Sequence, residues 1–363
     1  MLKTKVAKAF FVLLRAGLWN KPLDDEGCFP LSDSEWEEVF KISVQQTVQG
    51  IVFDGIQKLS SEKLPPREIH IKWFLITEKI NQRNIQMNEV IAKQYAFFSK
   101  NDIYPILLKG QSLAAFYDNP LRRVSGDIDW WFQSKKDFGN ANKLLSKAGI
   151  YPESTAGHSS VYWWKTFEID NHAKLFDLHN PLCFKYLNNL KSSEKNKYIY
   201  LDINGKKVLT LSPFLHILQV NAHILKHLLS FGIGIRQFCD IARLYYNYCD
   251  EMKKISQKKV YKKLKIIKWL NILHEVLVEY IGLEENKLPF ELSNSQKADR
   301  MMDEVYKSGN FGFYNENYYN LKLYKRKNRK RRIFTQMIKY FPYAPMEAVS
   351  FPFIHLFSGF MKR

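Results

Sequence analysis

Cysteine is scarce in this chain: Cys28, Cys183, Cys239 and Cys249 are scattered through 363 residues, with no Cys-x-x-Cys pair. That excludes a disulfide-stapled secreted scaffold and makes reduced thiols in a cytoplasmic chain the expectation. Long apolar runs are lacking too, so no segment is expected to span a membrane. The opening MLKTKVAKAFFVLLRAGLW is interrupted by Lys8 and Arg15, and no small-residue cleavage site follows. It therefore reads as an amphipathic helix and not as a signal peptide. Acidic residues are few beside basic ones, 36 against 55, for a net charge of +19. The excess suits a polyanionic partner such as nucleic acid, a nucleotide or an anionic membrane face; a lysine-rich soluble protein reads the same way. A dinucleotide fingerprint is missing: FGIGIRQFCD neither matches Gly-x-Gly-x-x-Gly nor follows a strand. There is no internal repeat.

What is present divides the chain into four stretches. Residues 1–100 read as a helical domain. Ser32 and Glu35 form a capping box stapled by Leu31 and Trp36, and Trp36, Val39, Phe40, Ser43 and Val44 then recur on one helix face. A second long helix carries Trp73, Ile76, Ile80, Met87, Ile91, Tyr95 and Phe98. Residues 101–211 change pattern. A strand over 104–108 ends at Lys109-Gly110, a short helix is expected over 111–117, and Asp127–Phe132 is the next strand. Lys135–Ala148, closed by Gly149, reads as a helix. Val161–Ile169 and Lys174–His179 read as a hairpin turning at Asp170-Asn171-His172, and a second hairpin turns at Asn204-Gly205. The fold class is thus α+β, a small mixed sheet flanked by helical domains at both ends. Residues 212–300 read as a helical domain closing a cleft, with a break at 231–234. Residues 301–363 form a basic, aromatic C-terminal segment around YKRKNRKRR.

The chemistry concentrates in RRVSGDIDWWF, residues 122–132. Strand alternation points Asp127 and Asp129 to one face and Ile128 and Trp130 to the other. Two carboxylates this close repel unless a cation lies between them, and hard oxygens suit Mg²⁺, with Mn²⁺ as a substitute. Upstream, Lys109-Gly110-Gln111-Ser112 joins a strand to a helix, where backbone N–H groups can hold phosphate oxygens. Arg122 and Arg123 add positive charge. A third carboxylate is expected on a neighbouring strand, and Asp177 in FDLH is the candidate. An isolated Asp-x-Asp or Lys-Gly-x-Ser occurs widely without any chemistry; the ordered combination is what carries the reading.

LLKGQSLAAFY, RVSGDIDWWF and LFDLHN together resemble the polymerase-β-like nucleotidyltransferase superfamily, in particular its branch of uncharacterised bacterial nucleotidyltransferases. HILKHLLSFGIGIRQFCDIARL, LLRAGL and GNFGFY extend the likeness over most of the chain. The resemblance implies that Asp127, Asp129 and Asp177 hold metal and act in catalysis. It places Gly110 and Ser112 on the phosphate-binding turn; beside it, Lys109 and Arg123 read as neutralising the nucleotide's charge. His179 reads as orienting Asp177 or contacting substrate, and Arg236 as a nucleotide contact or one half of a surface salt bridge. Two features depart from the wider superfamily: Gln111 separates the glycine from the serine, and the gap to Asp127 is long. The expected activity is Mg²⁺-dependent transfer of a nucleoside monophosphate from a nucleoside triphosphate, ATP among them, with the base left open. The acceptor hydroxyl is that of a sugar, small metabolite, protein or RNA. The alternative is a non-catalytic module that keeps the fold to bind nucleotide, nucleic acid or a membrane surface.

Other features have plainer readings. His223 and His227, four apart on a helix without a third ligand, fit core or interface positions. Lys226 joins Arg236 as a candidate nucleotide contact, and His158 as a cleft residue. The basic run within 322–332 is a solvated face, a nucleic-acid contact or an anionic-surface contact made peripherally at a membrane.

Overall fold

The computed structural model describes residues 2–155, 159–230, 232–254, 256–293, 297–312, 314 and 326–358. His158, residues 322–325 and the side chains of 326–332 lie outside the described set, and with them the expectations attached to those positions.

Four helices open the chain: α1 (Lys5–Leu18), α2 (Asp33–Gln45), α3 (Gln49–Ile56) and α4 (Arg67–Ser99). The capping box forms as expected, Ser32 N–H donating to Glu35 Oε2 at 2.8 Å while the Ser32 hydroxyl accepts from Glu35 N–H. The N-terminal helix forms as expected, with Lys5, Lys8 and Arg15 on its less buried side. This helix is buried along nearly its whole length, with Phe10 and Phe11 packing on Tyr306 and with Trp19 donating to the Ile281 carbonyl at 2.7 Å. Lys5 and Lys8 stay at its exposed start. Backbone contact explains the burial: a Cβ on Gly17 would lie 1.9 Å from the Ile51 carbonyl oxygen, and one on Gly55 would lie 2.0 Å from that of Leu13. Two glycines let α1 and α3 cross without intervening side chains.

The centre is a seven-stranded mixed sheet in the order β3-β4-β5-β2-β1-β7-β6. Its strands are β1 (Ile106–Leu108), β2 (Ile128–Trp131), β3 (Glu153–Thr155), β4 (Ser159–Trp164), β5 (Phe167–His172), β6 (Ile199–Ile203) and β7 (Lys206–Thr210). β1 and β2 are antiparallel, joined through α5 (Gly110–Ala114), while β2 runs parallel to β5. A helix, α6 (Lys135–Lys147), follows β2 and ends near Gly149, which adopts a positive φ. The Asn204-Gly205 turn is as expected, both residues taking the left-handed conformation that a tight hairpin requires.

The other hairpin is displaced from its expected position. The β4–β5 turn falls at Lys165-Thr166, with Lys165 at φ 56°, and Asp170-Asn171-His172 forms the second half of β5. Alternation explains the outcome: Phe167, Ile169 and Asn171 are buried, whereas Glu168, Asp170 and His172 face outward. Three polar residues that resemble a turn belong to a strand whose exposed face is polar. Lys174–His179, expected as a strand, is instead an irregular connection. Its end is pinned by Glu347, which accepts from the His179 and Asn180 backbone N–H groups at 2.7 and 2.9 Å.

One face of the sheet is covered by α4, where Trp130 donates to Gln94 at 2.7 Å and stacks on Tyr95. After α7 (Phe184–Ser193) and the β6–β7 hairpin, the chain becomes helical through α8 (Pro213–Ser230), α9 (Ile235–Asn247), α10 (Cys249–Lys253), α11 (Gln257–Lys263), α12 (Ile267–Glu279) and α13 (Ala298–Ser308). Helices Arg326–Tyr340 and Pro345–Ser358 close the described chain. The helical ends meet directly: the Gln46 amide donates to the Val305 and Tyr306 carbonyls and accepts from Ile235 N–H. No helix among the described residues is long and apolar enough to cross a membrane.

Candidate active site

The site begins with the register of β2 on β5. Asp129 pairs with Asp170 and Trp131 with His172, so the outward face of one strand lies beside that of the other. Donor atoms of Asp129, Asp170 and His172 all lie within 4.8 Å of one another. His172 Nε2 is 2.7 Å from Asp129 Oδ1 and 3.5 Å from Asp170 Oδ2. Asp127 stands exposed just ahead of the strand. These groups share a cavity of about 250 Å³ with Lys109, Gly110, Arg123 and Arg236.

On the opposite wall stand His223, Lys226 and His227 of α8.

Lys109 projects from the β1–α5 turn onto Asp129, Nζ to Oδ1 at 2.8 Å. Its backbone (φ 38°, ψ −154°) is one that few residues with a side chain adopt, at a cost of about 1–3 kcal/mol. Gly110 follows at φ 46°, where an added Cβ would come within 3.3 Å of the Asp127 carbonyl oxygen. The turn therefore runs tight against the strand that bears the carboxylates.

Charge is unevenly distributed here. Burial opposes ionisation of Asp129, but Lys109 and the His172 hydrogen bond outweigh it and hold the carboxyl below its ordinary range. Asp127 is raised, chiefly by the neighbouring Asp129 charge. Asp170 is pushed up to about 6, chiefly by burial, and its buried Oδ1 has no hydrogen-bond partner among the described residues. For Asp127 and Asp170, the nearby Lys109, Arg236 and His172 do not fully offset what raises them.

The expected residues fare differently. Asp127, Asp129, Lys109, Gly110, Arg123 and Arg236 line one cavity. Asp177 does not stand on the strand beside Asp129; that position is Asp170. Asp177 sits in the 173–180 connection, bound to His223 Nδ1 at 3.0 Å and Lys226 Nζ at 2.9 Å. Ser112 is also corrected. It is fully buried, and its hydroxyl donates to the Lys109 carbonyl at 2.9 Å with His216 at 3.4 Å on its other side. Gln111 explains why the serine is displaced: it is buried between Asn88, to which it donates at 2.9 Å, and Ser125, from which it accepts at 3.0 Å. His179 packs on Phe351 with ring centroids 5.1 Å apart and does not line the cavity. Arg123 is committed to Asp240 through two bonds of 2.6 and 2.8 Å, and Arg236 donates to the Val124 carbonyl at 2.5 Å. Asp170 and His172 escaped the sequence reading, although alternation from Phe167 through Ile169 to Asn171 carried the signal.

The cleft thus presents a tight glycine turn between strand and helix, Asp127 just ahead of β2, Asp129 on it and Asp170 on the strand beside it. The family described as uncharacterised nucleotidyltransferase matches residues 32–278, well over half of the chain, and the chain belongs to that family. A crystal structure of an antigenic nucleotidyltransferase-like protein from Paracoccidioides brasiliensis is similar at 14% identity and a TM-score of 0.37, over 58% of this chain and 94% of that one. No curated protein matches the chain.

Proposed function

We infer that the protein is a divalent-cation-dependent nucleotidyltransferase that moves a nucleoside monophosphate from a nucleoside triphosphate to a hydroxyl acceptor. The observation that carries this reading is the β2–β5 register, which sets Asp129, Asp170 and His172 within 4.8 Å of one another beside Asp127. The donor set fits a hard cation. Its oxygens are carboxylates, Asp127 and Asp170 are raised despite the neighbouring cations, and one buried oxygen of Asp170 has no partner among the described residues. Asp127, Asp129 and Asp170 would hold Mg²⁺, with His172 as a nitrogen donor that Mn²⁺ also accepts. When bound, the ion supplies charge neutralisation at the phosphate oxygens.

The remaining work falls to the chain's own groups. Lys109, Arg236 and Lys226 bring positive charge to a polyphosphate, the first from the strained turn and the others from the helical wall. Gly110 keeps the turn open to it. Arg123 acts through Asp240, holding the connection that leads into β2 against α9. Lys109 is bonded to Asp129 and must share that carboxylate with the incoming ion, so its ammonium is free to move onto phosphate as the ion arrives.

Calorimetry with ATP, CTP, GTP and UTP, with and without Mg²⁺, tests the reading. Metal-dependent binding of at least one nucleotide is expected. Asp127→Asn and Asp129→Asn should abolish label transfer from α-³²P nucleotides in a cell lysate while leaving the fold intact. Metal-independent binding, or none, would favour a non-catalytic module, and retained transfer in both variants would remove the site assignment.

A further inference from the structure

The pairing of Asp177 with α8 forms a second constellation beside Asp127, Asp129 and Asp170. His223 lines the cavity with 17% of its side chain exposed, and its Nδ1 lies 3.0 Å from Asp177 Oδ2. The other oxygen of Asp177 takes Lys226 Nζ at 2.9 Å. Lys226 already supplies one full positive charge to one carboxylate, so Asp177 needs an N–H from His223 and not an imidazolium. A neutral ring that donates through Nδ1 carries its lone pair on Nε2. His227 packs edge-on against the same ring, centroids 4.3 Å apart, fixing its plane from the next turn of the helix.

We propose, resting on the nucleotidyltransferase reading, that Asp177 and His223 form a dyad in which His223 Nε2 is the general base for the acceptor hydroxyl. The hydroxyl proton passes to Nε2 as its oxygen bonds to the α-phosphorus. The bond from that phosphorus to the oxygen bridging to the β-phosphate breaks, and pyrophosphate leaves with the electron pair. Asp177 is a positioning residue: it selects the tautomer and orients the ring. The acceptor must then approach from the α8 side of the cleft, where Lys226 and Arg236 favour an anionic or strongly polar hydroxyl compound. The cations facing the ring, Lys109 and Lys226, favour a neutral imidazole, while Asp177 opposes them. Burial, then Lys109 from the turn and Lys226 on its own helix, lower His223 to about 4 against the opposing pull of Asp177. A cation held by Asp127, Asp129 and Asp170 would withdraw their charge and leave them poorer bases for this step.

The test follows release of labelled product from α-³²P ATP, CTP, GTP and UTP with Mg²⁺, using water and added glycerol as hydroxyl acceptors. His223→Ala and His223→Asn are compared with Asp177→Asn and Asp129→Asn. His223→Asn retains an N–H near the place of Nδ1, and so preserves the tether to Asp177 without a base. Both His223 variants are expected to melt like wild type and to bind Mg²⁺-nucleotide within about twofold. Both should turn over about 10²–10³-fold more slowly, with added imidazole restoring part of the rate to His223→Ala. Asp177→Asn should lose about tenfold in kcat, with nucleotide affinity kept. A His223→Asn rate within about threefold of wild type, or a loss confined to KM, overturns the dyad. If Asp129→Asn abolishes turnover while the His223 variants retain it, the dyad alone fails. If wild type and Asp129→Asn are equally inert, the nucleotidyltransferase reading fails and takes the dyad with it.

Discussion

The two walls of the cleft are built on opposite plans. The sheet wall carries Asp127, Asp129 and Asp170 against one lysine, and the register of two parallel strands fixes the spacing. The helical wall carries His223, Lys226, His227 and Arg236, and its acids, Asp177 and Asp240, are occupied as counter-ions. A strand pair suits a metal because neighbouring residues on adjacent strands stand about 5 Å apart with little freedom. A helix suits the movable partner because residues three and four apart share a face, which brings 223, 226 and 227 together. The sheet wall is short of positive charge and the helical wall is not. That difference is what a cation and a polyanion, entering together, would resolve.

The sharpest way to break the comparison is to remove one acid from each wall. Asp170→Asn should abolish Mg²⁺-dependent nucleotide binding and lower turnover by about 10³-fold, the several kcal/mol that a misheld metal forfeits. Asp177→Asn should keep that binding and lose only part of the rate. Calorimetry with Mg²⁺ and the preferred nucleotide separates the two, and equal losses would show that both acids serve one site.

A stability measurement asks what holds the walls in place. Arg123 and Asp240 are each about 95% buried and doubly hydrogen-bonded, and Tyr117 adds a third bond to the same carboxylate at 2.6 Å. Asp240→Asn leaves a buried guanidinium without its charge partner and should cost about 3–5 kcal/mol, seen as a lower urea midpoint. A loss below about 1 kcal/mol would mean that the clamp does not tie the β1–β2 connection to α9.

Much of the sheet wall was legible in the sequence. The run Ile106–Leu108, the glycine turn and Asp127-Ile128-Asp129 follow from strand alternation and turn chemistry, and these signals are local. Asp170 and His172 were missed for a physical reason: at Asp170-Asn171-His172, turn-forming residue types compete with the two-residue period, and the period wins because β2 pairs with it. Asp177 was misplaced because Phe176 and Leu178 mimic a strand, whereas their burial arises in an irregular segment pinned by Glu347, 170 positions away in sequence. Ser112 was misassigned because nothing local shows that Gln111 is anchored in α4. The helical wall was only half legible. Helical spacing groups His223, Lys226 and His227, but the partner of the first two comes from a distant connection.

The smallest effect concerns the histidines behind the helical wall. His216 in α8 and His274 in α12 are fully buried, and burial lowers both to about 3 from an ordinary value near 6.5. The unfolded chain takes up protons as pH falls below about 6.5, while the folded chain cannot until about 3. Stability is therefore fully present above 6.5 and is lost on acidification through that window, at about 1.4 kcal/mol per pH unit for each histidine. His274 Nε2 meets the Tyr245 hydroxyl at 3.2 Å, and among the described residues its Nδ1 has no hydrogen-bond partner, so His274→Gln removes the titration while keeping a polar group. Urea midpoints between pH 6.5 and 5 should fall less steeply in His274→Gln than in wild type, by about that one-proton slope. An unchanged slope would show that His274 is already protonated in the folded chain, and that acid sensitivity does not reside on the helical side.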